Sequence, residues 1–105
     1  MHKDYEKFVE AINQKKMVKI VADTKEKGII QRKCIPFDFA ISRKYQDGKE
    51  RFHFLDLDSP DGPHNLSILP EDLKTLEILG EYFDPADYVT WSPNWAVKRD
   101  WGTYS

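Results

Sequence analysis

A single cysteine, Cys34, stands in a chain of 105 residues. No internal disulfide can form, and the expected setting is reducing and cytoplasmic. Long apolar runs are missing too: no stretch approaches the ~20 residues that cross a bilayer. The opening MHKDYEKFVEAINQKK is charged and amphipathic, unlike the apolar centre and small-residue cleavage site of an export signal. No glycine-rich phosphate loop occurs, and no Ser or Cys nucleophile with a matched base can be assigned, so enzyme activity is not expected. Cys34, His2, His53 and His64 lack the short paired spacings of a zinc site. DLDSPDG brings Asp56, Asp58 and Asp61 close to Gly62 but is interrupted by Pro60 and lacks the closing Glu of a calcium loop. Neither a metal nor a cofactor is expected.

What is present reads as one soluble domain, because aromatic residues make up 13% of the chain and a disordered segment would be poor in them. Tyr5, Phe8, Val9 and Ile12 recur at helical spacing and predict an amphipathic helix, started by Lys3 or Asp4 and ended between Asn13 and Lys16. MVKIVADT follows with Val18 and Ile20 on one face of a strand, and TKEKG is a turn closed by Gly28. GIIQRKCIP predicts a second strand stopping at Pro36, with Cys34 as a small buried residue on it. FDFAISRKY then alternates Phe37, Phe39 and Ile41 on one face. QDGK at 46 to 49 predicts a tight primed hairpin turn into the strand RFHFLDLD. SPDGP is a loop, HNLSIL a short strand, and LKTLEIL up to Gly80 fits either a helical turn or, by its length, a closing strand. The expected fold is mainly β: a small, bent antiparallel barrel with one N-terminal helix, spanning residues 1–80.

The order of these features resembles the WYL domain, a small barrel of the SH3/Sm-like class. The residues that carry the resemblance are AINQKK, VKIVA, RKCIPFDF, FHFLDLD and NLSILPEDLKTLEIL, over about residues 8 to 79. The family's Trp-Tyr-Leu-like run falls on His53, Phe54 and Leu55, of which only the Leu is kept. Where the family carries an arginine, this chain has Pro70 and Glu71, so no arginine carries over. The resemblance implies a binding or regulatory module of the kind that accompanies DNA-reading domains and senses nucleic acids or other ligands.

Charge is unevenly spread. Residues 1 to 51 hold 13 basic against 8 acidic side chains, and residues 52 to 105 hold 3 against 10. If the halves segregate in space, one face suits polyanions and the other cations or a second copy; if they interleave as strands of one sheet, these charges pair across it. The basic set comprises Lys15, Lys16, Lys19, Arg32, Lys33, Arg43, Lys44, Lys49 and Arg51. Within it Lys19, Arg32 or Lys33, and Arg51 would form a stripe if their strands are neighbours. With His53 beside them, these residues are the candidate contacts for a nucleotide or RNA.

All three tryptophans, Trp91, Trp95 and Trp101, crowd into an extension at 81–105 that holds four acids and two bases. That balance attracts a phosphate backbone poorly. The expected role of these rings is to pack, as a lid on their own barrel or at an interface with a second copy. Asp84-Pro85 predicts a turn, and Ser92-Pro93 predicts a short helix ending at Gly102, in which Trp95 and Trp101 would not share a face. The expectation is a non-catalytic ligand-binding or regulatory module. The competing expectation is a self-assembling homo-oligomer or protein adaptor, in either case away from membranes.

Overall fold

The computed structural model describes residues 2–42 and 44–105; Arg43, one of the basic set, lies outside them. Helix α1 spans Tyr5–Gln14 and buries Phe8, Ala11 and Ile12 completely, the face given by the helical spacing. It ends at Lys15, whose left-handed φ of 56° lets its amide reach the carbonyls of Ala11 and Ile12.

The strands are β1 (Lys16–Thr24), β2 (Gly28–Ile41), β3 (Glu50–Asp56), β4 (His64–Ile68) and β5 (Leu73–Tyr82). They form one antiparallel sheet in the order β4-β3-β2-β1-β5. One face of β1 carries Val18, Ile20 and Ala22, all without exposure, opposite Cys34, Arg32 and Ile30 of β2. Phe52 and Phe54 extend this apolar face across β3 and meet the Phe8 ring edge-on at 5.0 and 5.4 Å. Burying aromatic rings of this kind is worth about 1.5–3 kcal/mol each. The two edge strands, β4 and β5, are joined by a 3-10 turn, Pro70–Asp72, which touches both β1 and β3. Among the described residues no ladder links β4 to β5, so the sheet is not a hydrogen-bonded closed barrel. No helix among these residues is long and apolar enough to cross a membrane.

Two of the three irregularities in strand register bear on the expected pattern. Strand β2 does not stop at Pro36 but runs on to Ile41. β1 pairs with β2 only as far as Cys34, so the missing proline N–H breaks no ladder on that side. Directly after it Phe37 is an extra residue, between Pro36 opposite Phe54 and Asp38 opposite His53. The expected alternation is therefore broken: Phe37 packs near Trp95, Phe39 packs against Tyr5 and Phe52, and Ile41 is 59% exposed. In β5, Leu73 faces Ala22 while Thr75 faces Val21, which makes Lys74 the extra residue. That insertion puts Leu73 and Leu76 on one face three residues apart, a spacing that imitates a helix.

The tight turn expected at QDGK is absent. β2 ends at Ile41 and β3 begins at Glu50, and the positive φ angles fall on Gln46 (50°) and Gly48 (73°) on either side of Asp47. The charged halves do interleave: Lys19 pairs with Glu77, Lys33 with Glu81 and Arg32 with Asp56.

Cys34 lies wholly inside the sheet, and burial, aided by the charges of Asp56 and Asp58, raises its thiol well above the ordinary range. In the native protein it should not react with a disulfide reagent at pH 8, and one thiol should react promptly in guanidinium chloride. Fast native labelling would contradict this packing.

Candidate ligand groove beside the C-terminal clasp

The bulge at Phe37 turns two consecutive side chains, Phe37 and Asp38, toward the C-terminal segment. By strand alternation this is the face opposite Cys34 and Phe54, shared with Ile35, which is fully buried. Asp38 Oδ1 accepts the Val97 amide at 2.8 Å and the Phe39 amide at 3.0 Å, and Oδ2 accepts the Ala96 amide at 2.9 Å. Arg99 completes the set through Nη2, 3.4 Å from Asp38 Oδ1, while its Nε donates to the Val97 carbonyl at 3.0 Å. The guanidinium sits in the corner formed by two edge-on indoles, its central carbon 4.1 Å from the Trp95 ring centre and 4.4 Å from that of Trp101. Burial pushes the Arg99 pKa down to about 10, against the opposing pull of Asp38, so it is still charged at neutral pH.

No helix forms between Ser92 and Gly102; the single helical turn there is 3-10, Gly102–Tyr104. The amides of 96 and 97 serve Asp38 instead, and the irregular backbone lets Trp95 and Trp101 meet edge-on at 5.4 Å, which a regular helix would prevent. Trp101 is 3% exposed and donates its indole N–H to the Ile12 carbonyl at 2.7 Å, a second donor to an acceptor at the end of α1 that the Lys15 amide also reaches, at 3.2 Å. Trp95 donates to the Tyr104 carbonyl at 2.7 Å. The segment thus packs on its own chain. The turn expected at Asp84-Pro85 is present, with the Asp84 carboxylate accepting the Ala86 amide at 3.0 Å.

Trp91 differs from its two neighbours. It stands edge-on to Phe37 at 5.8 Å and to Trp95 at 6.0 Å and is 46% exposed. It walls one end of a recess of about 800 Å³. By the register, the recess wraps around the β4 edge: Ile30, Phe54 and Ile68 belong to one face of the sheet, and His53, Ser67 and Arg51 to the other. The second set is the groove of interest. From Phe37 to Ala40, the residue opposite Arg51, it runs about 10 Å at ~3.3 Å per residue.

His53 floors this groove. Its Nε2 lies 2.9 Å from the Ala40 carbonyl and its Nδ1 2.8 Å from Ser67 Oγ. A carbonyl only accepts, so Nε2 carries the proton, and in the neutral ring Nδ1 accepts from the Ser67 hydroxyl. At the far end the two Nη atoms of Arg51 donate to the two Asp47 carboxylate oxygens, each at 2.9 Å. The Arg51 guanidinium also lies 4.0 Å from the centre of the Tyr45 ring, itself 45% exposed. These two bonds hold the Asp47 carboxyl well below the usual carboxylate range and raise the Arg51 pKa.

The predicted stripe is not brought together. Lys19 and Lys33 are register partners on one face, with Glu77 and Glu81 beside them. Arg32 points to the other face, bonded through Nε to the buried Asp56 at 3.1 Å. Arg51 and His53 share the face of Lys19 and Lys33, but six residues separate Arg51 from Leu57, whose amide bonds the Lys33 carbonyl. That is about 20 Å, and along β2 the Asp38 anchor of the tail lies between. Each of the four basic residues has a carboxylate partner. Sequence reasoning missed Asp38, Tyr45, Asp47, Ser67 and Arg99. The signals were Asp38 itself, an acid placed between phenylalanines, and Arg99, in the basic pair bracketed by Trp95 and Trp101. Asp58, from the faint calcium-like run, accepts the Lys33 amide at 2.7 Å, so it closes a loop.

No protein-family model matches the sequence, and no curated protein or solved structure is similar to it at a significant level.

Because the folded Asp47 pKa is depressed, its contact with Arg51 contributes stability that is present above the unfolded value of about 3.9 and lost as pH falls through the folded value. The near-ultraviolet signal of Tyr45, compared with Tyr45→Leu, should therefore stay constant from pH 7 to pH 4. A transition centred near pH 4 would show that Asp47 is not held by Arg51.

Proposed function

We propose that the protein is a non-catalytic binding module, a small barrel of the SH3/Sm-like class similar to the WYL domain. Its ligand is a nucleotide or the end of an RNA strand. The barrel reading is supported by the Pro70–Asp72 turn, which reaches β1 and β3 and draws the two sheet edges toward each other. The ligand reading rests on one observation: the groove on the β3–β4 face has an exposed aromatic ring at each end, Trp91 and Tyr45, with Arg51 and His53 between them.

Exposed ring surface stacks on bases of any sequence, and a guanidinium fork recognises phosphate oxygens; Arg51 already covers one face of Tyr45, so Trp91 is the main stacking surface. Both nitrogens of His53 are engaged by Ala40 and Ser67, which suits a rigid floor better than a proton shuttle. The basic strands contribute Arg51 and the neighbouring Lys44 of the β2–β3 loop. Lys19, Arg32 and Lys33 are left to balance the acids of the second half.

The test is tryptophan fluorescence, because Trp91 is the most exposed of the three indoles. Adenosine monophosphate or a short oligoribonucleotide should quench it, and Trp91→Phe should remove the response while leaving the fold intact. A response unchanged in Trp91→Phe, or none in the wild type, would overturn the groove reading.

A second reading is self-assembly. It is favoured by the two edge strands, β4 and β5, each with a sheet partner on one side only. Since Trp95 and Trp101 are turned onto their own chain, assembly would run through these edges. Native mass spectrometry at micromolar concentration would then give a discrete oligomer; a ligand-free monomer would overturn it.

A further inference from the structure

We infer that Asp47 is a built-in stand-in for the ligand's phosphate: it occupies the Arg51 fork in the free protein and is displaced when a nucleoside monophosphate enters the groove. This rests on the groove reading above and adds how the site is regulated and which group on the ligand it selects.

Four observations carry it. The fork is fully used by one carboxylate, with both Nη atoms of Arg51 at 2.9 Å from separate oxygens of Asp47. Two oxygens of a phosphate monoester present the same paired acceptors with a larger charge. Second, the fork is held in place by other groups. Its side chain is 7% exposed, and its plane is supported by the Tyr45 ring at 4.0 Å, so it need not reorganise when Asp47 leaves. Third, Asp47 is easily moved. Every residue from Lys44 to Glu50 is exposed, and among the described residues the one hydrogen bond of the Asp47 carboxylate besides the fork is within the loop, from the Lys49 amide. Fourth, the closed loop holds Gln46 at a φ of 50°, a conformation unfavourable for a residue with a Cβ. Opening the loop can relieve it, which offsets part of what the lost ion pair contributed.

The exchange forms and breaks no covalent bond; one anion replaces another on the same cation. Its consequence is a threshold. A neutral nucleoside stacks on the rings without contesting the fork, whereas the monophosphate must displace Asp47 before it gains the fork.

The experiment is a fluorescence and calorimetric titration of the full chain with adenosine and with adenosine monophosphate. It compares the wild type, Asp47→Asn, Asp47→Ser and Arg51→Gln. Both Asp47 variants should bind the monophosphate about tenfold more tightly than the wild type, with adenosine affinity unchanged. Arg51→Gln should bind the two ligands equally. Circular dichroism establishes that each variant is folded, and two different replacements at an exposed loop position guard against one local distortion. If the Asp47 variants bind the monophosphate no better than the wild type, while adenosine still quenches Trp91, the stand-in role is overturned and the groove survives. If neither ligand binds any variant, the groove reading itself falls and this inference falls with it.

Discussion

The buried carboxylate of Asp38 organises everything outside the helix-packed face of the sheet. A charge placed inside a protein is tolerated only when it is fully hydrogen-bonded and paired. Asp38 meets that condition by drawing three amides and one guanidinium to itself, two of the amides and the guanidinium from a segment 58 or more residues away. Arg99 faces the same demand and meets most of it with Asp38, the Val97 carbonyl and two indole faces, its Nη1 alone having no hydrogen-bond partner among the described residues. Neither ion is tolerable without the other, so the last 20 residues have one place to lie. The sheet supplies the apolar surface they cover, and the bulge at Phe37 brings Phe37 and Asp38 to it together.

This constraint divides the aromatic residues by task. Trp95 and Trp101 are consumed in the clasp, and Phe8, Phe52 and Phe54 in the main core. Trp91 and Tyr45 stay about half exposed beside a groove whose floor is fixed by His53 and Ser67. The clasp and the groove meet at Phe37, which touches both Trp91 and Trp95. A rigid C-terminal segment therefore holds one wall of the groove, while the exposed loop bearing Asp47 forms the other.

Much of the fold is legible in the sequence, because it rests on local periodicity. The spacing of Tyr5, Phe8, Val9 and Ile12, the alternation of Val18 and Ile20, and the turn at Gly28 each arise from neighbours in the chain. The misreadings share one origin: a long-range partner outweighs a local preference. Ser92-Pro93 has the chemistry of a helix start, yet the amides that would follow it serve Asp38. LKTLEIL forms the strand that its length favoured, and the helical spacing of Leu73 and Leu76 comes from the bulge that adds Lys74 between them. The candidate stripe of Lys19, Arg32, Lys33 and Arg51 could not be located from sequence, since composition says nothing of face or of distance along a strand. Asp38 was legible as an oddity, an acid amid FDF, but its partners lay too far along the chain to be inferred.

The pairing of Asp38 with Arg99 is open to direct measurement by a double-mutant cycle in urea unfolding, using Asp38→Asn, Arg99→Gln and the double variant. Each single change leaves a buried group without its partner and should cost about 3–5 kcal/mol. The double variant should cost clearly less than the sum of the two, with a coupling of at least ~1 kcal/mol. Additive effects, or single variants as stable as the wild type, would contradict the account, since the clasp would then be held by indole packing alone.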